Sequence, residues 1–188
     1  MNAVKAVQAV QAVQAVAVFA NSPVGIEGNV TFEDVNNDCK VTADFSALPP
    51  GKHGFHIHKN GDLRGSGCKG ACDHYHKGAP TVHGGPPDQP GRRHTGDLGN
   101  VEPLEGRPGS VFYKTYFLKN VKSSELFGRA LIVHEDEDDL GLGPYEDSLT
   151  TGHSGSRIAC AIIGRGNACE QPNRKTLRGG KRRFFGKI

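Results

Sequence analysis

The sequence predicts an all-β domain with two long loops. Apolar and polar residues alternate in short runs, and no stretch keeps a long helical periodicity. The runs are separated by clusters of Gly, Pro, Asn and Asp, in a chain with 26 Gly, 11 Pro and no Trp. Two stretches, 60–93 and 135–155, show no periodicity at all. At 188 residues the chain is long enough for one domain with a real hydrophobic core.

Residues 1–14 repeat Ala-Val-Gln and read as a low-complexity extension. Ala and Gln favour helix, but the Val residues and Ala17-Val18-Phe19 favour a strand where the repeat ends. Strands are expected over 24–32 and 39–45, with Asn36-Asn37-Asp38 as the turn between them. Leu48-Pro49-Pro50-Gly51 is a turn, and 52–59 is the next strand. After the first long loop, strand patterns resume over 94–101, 110–118 and 129–134. The second loop opens with five consecutive acids, Glu135 to Asp139, and a last strand covers 156–164. This makes eight strands in one domain, 15–164. The remainder, 165–188, is a basic tail of low apolar content, expected to be flexible.

The net charge of +3 hides an asymmetry. The tail holds eight Lys/Arg against one acid, a net of +7, which leaves about −4 for the rest. Such a tail can hold polyanions non-specifically, but no specific nucleic-acid partner is expected. No segment reaches the ~18–20 apolar residues of a membrane span. Lys5, the Ala/Val run and Phe19-Ala20 outline a signal peptide, yet Gln8, Gln11 and Gln14 interrupt it, so a cytoplasmic chain is expected. The five Cys (Cys39, Cys68, Cys72, Cys160 and Cys169) are odd in number and form no C-x-x-C pair. Cys39 is expected to be a half-buried strand residue and Cys169 an exposed tail thiol.

The chemistry centres on Gly54-Phe55-His56-Ile57-His58. Side chains two apart on a strand share a face, so His56 and His58 project together while Phe55 and Ile57 go to the other side. His134 ends a second strand, and His74, His76, His83, His94 and Asp97 lie in or just after the first loop. An all-imidazole set suits copper, whereas three imidazoles and a carboxylate suit tetrahedral zinc.

Five segments carry a resemblance: Gly54 to His58; His83-Gly84-Gly85-Pro86; His94-Thr95-Gly96-Asp97-Leu98-Gly99-Asn100; Val133-His134-Glu135 with Asp138-Asp139-Leu140-Gly141; and Gly155-Ser156-Arg157-Ile158-Ala159-Cys160. Together they resemble the Cu/Zn superoxide dismutases over roughly residues 15–164. The Ala-Val-Gln extension and the basic tail are similar to those of giant-virus members. The resemblance implies an eight-stranded Greek-key β-barrel or sandwich and the conversion of superoxide to O₂ and H₂O₂ in antioxidant defence. It implies one copper held by His56, His58, His74 and His134, and one zinc held by His74, His83, His94 and Asp97. His74, six residues after Cys68, would bridge the two metals, with His76 as the competitor for that role. Asp138 matches a carboxylate that hydrogen-bonds one ligand of each metal, and His53 matches a structural position. Cys68 and Cys160 match an intrasubunit disulfide, while Cys72 has no counterpart. Arg157 matches a residue that guides the anion to copper, and Thr151 one that narrows the channel opposite it.

Departures from the family pattern qualify these implications. Thr150 stands where a steering lysine is usual, and the loop after His134 is strongly acidic, so weaker steering is expected. A homodimer is implied, using the turn after the histidine strand, the segment around Phe127-Gly128 and the last strand; Asn60 and Arg165 replace apolar residues there. Ser156 and Ile158 lack prolines that tie some members to a copper chaperone, which suggests chaperone-independent loading. The alternative is a non-enzymatic, chaperone-like copper module. All four copper histidines are present and no Met-x-Cys-x-x-Cys segment occurs, which favours the enzyme.

Overall fold

The computed structural model describes residues 14–64, 67–79, 81–104 and 109–166. The extension up to residue 13, Cys169 and the tail from 167 onward lie outside the described residues. The strands are β1 (Ala15–Phe19), β2 (Glu27–Val35), β3 (Asp38–Ala47), β4 (His53–His58), β5 (Asp97–Val101), β6 (Phe112–Leu118), β7 (Ala130–His134), β8 (Arg157–Ile162) and a two-residue β9 (Gly164–Arg165). They form two antiparallel sheets, in the orders β6-β3-β2-β1-β9 and β5-β4-β7-β8. Of the two architectures expected, the structure is the sandwich, with sheets that do not close into a barrel. The eight expected strands are present. β9 is additional and pairs Arg165 with Ala15, so the sheet reaches into the stretch read as tail.

Alternation explains the first sheet. In β3, Cys39, Val41, Ala43 and Phe45 point inward and are fully buried, and their neighbours along the strand are more exposed. Cys39 is thus a core residue rather than a half-buried one. β2 and β3 form a hairpin closed by Asn36-Asn37, with Asn36 at φ +56°, a conformation Asn tolerates better than most residues. The second sheet closes the sandwich with Phe55, Ile57, Leu131 and Val133. Phe45 is the hub between sheets: its ring centroid lies 5.3 Å from Phe19, 5.7 Å from Phe55 and 6.2 Å from Phe112. Burying one such ring contributes roughly 2–3 kcal/mol.

β4 is buried at every position, although it alternates in sequence. Phe55 and Ile57 enter the core, and the opposite face, with His56 and His58, is covered by the two long loops. Neither loop is structureless. The first contains a 3-10 turn, Gly67–Ala71, and the second a one-turn helix α1, Ser148–Thr151. A further 3-10 turn, Ser123–Leu126, packs below β1 and β2.

Candidate metal centre

β4 supplies the frame. β7 runs antiparallel beside it, pairing Phe55 with Val133 and His56 with Ile132, so His134, two residues beyond Ile132, shares the sheet face of His56. β5 lies on the other side and sets Asp97 opposite His56 across a register shift. The first loop returns along β4 as an informal extra strand. Tyr75 donates its N–H to the Ile57 carbonyl at 2.7 Å, Gly96 donates to the Tyr75 carbonyl at 2.8 Å, and His58 and His74 form a bridge. A disulfide between Cys68 and Cys160, with Cα atoms 5.7 Å apart, fastens this loop to β8.

Two clusters result. His56, His58, His74 and His134 bring one ligand atom each within 4.8 Å of one another, and His74, His83, His94 and Asp97 do the same. His74 belongs to both. The ring nitrogens divide their duties. His58 Nδ1–H donates to the Cys72 carbonyl at 2.7 Å and His134 Nδ1–H to the Gly155 carbonyl at 3.2 Å, leaving their Nε2 atoms 3.4 Å apart. His56 and His83 donate through Nε2 to the two oxygens of Asp138, at 2.9 and 2.7 Å. His83 Nδ1 then lies 3.3 Å from His74 Nδ1, which is itself 2.8 Å from Asp97 Oδ1. Among the described residues, four buried side-chain atoms have no hydrogen-bond partner: the Tyr116 hydroxyl in the core, and His56 Nδ1, His74 Nε2 and His94 Nδ1 here. His94 Nδ1 sits 3.3 Å from Asp97 Oδ2 but outside hydrogen-bond geometry. Buried polar atoms are rarely left unpaired, and lone pairs facing one another need a cation between them. The residues present therefore fit two metal ions sharing His74.

Electrostatics agree with this at the first cluster. Burial, then the neighbouring imidazoles His74 and His134, hold His56 well below the usual histidine range; burial also lowers His58, His74 and, to about 4, His134. The four rings of the first cluster are thus neutral, as ligands must be. Burial opposes the charge of His83, but the carboxylates of Asp138 and Asp97 outweigh it and raise that ring to about 9. Burial likewise opposes ionisation of Asp97, and hydrogen bonds from His74, His83 and His94 outweigh it, holding the carboxylate ionised.

A cavity of about 720 Å³ opens over the first cluster, lined by His58, His74, His134, Thr151, Arg157 and Asp147, among others. Arg157 is tethered there by the carbonyls of Cys68 (2.9 Å), Lys69 (3.2 Å) and Cys72 (2.5 Å). His76 also lines the cavity but joins neither cluster: Nε2–H donates to the Ala79 carbonyl at 2.7 Å, and Nδ1 accepts the Thr95 N–H at 3.2 Å. His53 Nδ1 lies 2.9 Å from the Glu135 carbonyl and 3.0 Å from that of His134, below the clusters.

The sequence matches the family model for copper/zinc superoxide dismutase over residues 26–163. The chain belongs to the copper/zinc superoxide dismutase family. It is 44% identical over 142 residues to the Cu-Zn superoxide dismutase of Paramecium bursaria Chlorella virus 1, covering 74% of this chain and 73% of that one. It is 43% identical over 143 residues to the extracellular Cu-Zn superoxide dismutase of Drosophila melanogaster, covering 74% and 76%. The crystal structure of the clock protein EA4 superposes with a TM-score of 0.66 at 34% identity, covering 82% of this chain and 95% of that one. The family uses copper and zinc.

Two contributors escaped the sequence reading. Asn100 clamps the backbone of Asp138, accepting its N–H at 2.8 Å and donating to its carbonyl at 2.9 Å. Gly152, at φ +70°, packs so tightly that a Cβ there would collide with the Asp138 carboxylate and with His83 Nε2. The only sequence signals were the Asp-Leu-Gly-Asn run and the glycine after Thr151.

Proposed function

We propose that this chain is a superoxide dismutase in which His56, His58, His74 and His134 hold copper, and His74, His83, His94 and Asp97 hold zinc. The observation that carries the assignment is the division of ring nitrogens. Each outward nitrogen of His56, His58, His83 and His134 is occupied by a carboxylate or carbonyl, and each inward one faces the other members of its cluster. When bound, copper supplies a one-electron couple that alternately accepts an electron from superoxide and returns one, while zinc supplies a fixed positive charge.

The chain's own residues do the rest. Asp138 fixes ring orientation and tautomer in both clusters at once, through His56 and His83. His74 carries Nδ1 beside Asp97 and leaves Nε2 without a partner, so it can hold a proton at Nε2 for the product peroxide. Arg157 presents a fixed cation to an incoming anion, held in place by three carbonyls. Thr151 lines the opposite wall and limits the size of what enters. Metal analysis with superoxide turnover tests this reading. The wild type should bind copper and zinc and be active, and His134→Ala should lose copper and activity while keeping zinc.

The finer readings are proposals of the same kind. A homodimer is supported by Ile162, 45% exposed on β8, and by the close approach of Gly61 to the Gly128 carbonyl; sedimentation showing monomer at micromolar concentration would remove it. Copper loading without a chaperone is tested by activity after expression in cells lacking one. The 15–164 domain with separable ends is tested by limited proteolysis. For cytoplasmic placement the relatives pull in different directions, since those of Drosophila melanogaster, Haemonchus contortus and Caenorhabditis elegans are named extracellular. N-terminal sequencing of the mature chain decides it.

A further inference from the structure

The cavity over the first cluster has an acid at its rim whose partner is a histidine. Asp147 lines the cavity together with Arg157 and precedes α1, whose Thr151 also faces it. Asp147 Oδ1 lies 2.7 Å from His153 Nδ1, and Asp147 Oδ2 accepts the Thr151 hydroxyl at 3.1 Å. The His153 ring is stacked on Tyr145, with centroids 3.6 Å apart and planes 11° from parallel. His153 reaches this place from a backbone at φ +50°, a left-handed conformation that His, like Asn and Asp, adopts more readily than most residues.

The surrounding charges can be counted. Lys59 and Asp73, which also line the cavity, neutralise each other at 2.9 Å. Arg157 is a fixed cation. Asp136 lies against Gly155, and Glu146 adjoins Asp147 in the chain. The ion pair at Asp147 is with His153, and the imidazole beside it holds the Asp147 carboxyl below the usual carboxylate range. Asp147 is therefore negative throughout the working pH range, and the charge of the pair depends on His153 alone. Imidazole is the side chain that changes charge between pH 5 and 8.

We propose that His153 is a positioning residue for substrate entry: protonated, it neutralises Asp147 and leaves the rim to Arg157, and neutral, it exposes an anion in the path of superoxide. The same bond holds Thr151 in place through Asp147. This inference rests on the dismutase reading and assigns a pH response to its channel.

The test measures the second-order rate constant for superoxide between pH 5.5 and 8.5, at low and high salt, for the holoenzyme, His153→Asn and Asp147→Asn. One charge within about 10 Å of the incoming anion changes the encounter rate about two- to threefold at low ionic strength. The wild-type rate should fall by that factor as pH rises, and salt should shrink the fall. His153→Asn should be slow and pH-independent across this range, and Asp147→Asn should be faster than the wild type at every pH, because the carboxylate is gone while His153 remains. Identical pH profiles for the wild type and His153→Asn would overturn the proposal. The second readout is NMR of the reduced holoenzyme. The Thr151 amide signal should move together with the His153 ring as pH changes, and the coupling should vanish in Asp147→Asn. A Thr151 signal indifferent to the His153 ring overturns the coupling even if the enzyme is active. Loss of superoxide turnover at every pH in the metal-loaded wild type would instead refute the dismutase reading, and the NMR result would still judge the pair.

Discussion

Replacing both Cys68 and Cys160 by Ala should be the most costly change outside the metal ligands. The two residues are 92 apart in sequence, so the bond removes a large loop-closure entropy from the unfolded chain. The chain-entropy relation gives about 4–5 kcal/mol for a loop of that size. In the folded protein the pair packs on Ala71, Ala130 and Ile132, a small cluster separate from the main core, so the lost packing adds little. For a domain of this size the melting temperature should drop by roughly 10–20 °C. Scanning calorimetry would measure it, on wild type and variant at matched metal content, because bound metal stabilises by mass action. A second effect should accompany it. Arg157 is held by the carbonyls of Cys68 and Lys69, on the segment the disulfide fastens, so superoxide turnover should fall several-fold even in protein that remains folded. A melting shift below about 3 °C would refute the reasoning, since it would mean that the hydrogen bonds of Arg157 and the strand pairing hold the loop unaided.

Four further outcomes follow from the structure. Asp138→Asn keeps the size of the side chain but gives up one acceptor, so affinity for one or both metals should fall about 10–100-fold in a chelator competition. Gly152→Ala should act on the same contact from the other side, pushing the Asp138 carboxylate off His83, and should weaken zinc binding before copper binding. Burial pushes the Cys39 thiol up from 9.0 to about 12, whereas Cys72 is exposed. At pH 8.5 the folded thiolate of Cys39 should be about a thousandfold rarer than in the unfolded chain, and iodoacetamide should label Cys72 and spare Cys39. The sign also predicts a stability loss at high pH: the unfolded chain releases this proton above pH 9.0, the folded one only near 12, so folding weakens progressively across that interval.

The strands were legible because their alternation is a direct record of two faces. β3 reads Cys39, Val41, Ala43, Phe45 inward, and the structure keeps that order without exception. β4 reads the same way for a different reason, since its second face is also covered, by loops that carry the chemistry. The clustered histidines were legible once His56 and His58 were placed on one face and matched to a family pattern. What could not be read were the partners that orient them. The acceptors for His58 and His134 are the carbonyls of Cys72 and Gly155, and a carbonyl has no residue identity. The 3-10 turn at Gly67–Ala71 and the helix at Ser148–Thr151 are too short to leave a periodicity. The His153–Asp147 pair was invisible because the two groups, six positions apart in the loop, are brought together by the turn at Gly152.

The central claim is that one imidazole, His74, joins two metal sites of different composition. Metal analysis of the purified chain, taken with superoxide turnover, tests it most directly. The account predicts one copper and one zinc per chain, turnover that requires copper, and a His74→Ala variant in which binding at both sites is weakened. Undiminished binding of both metals by His74→Ala would contradict it.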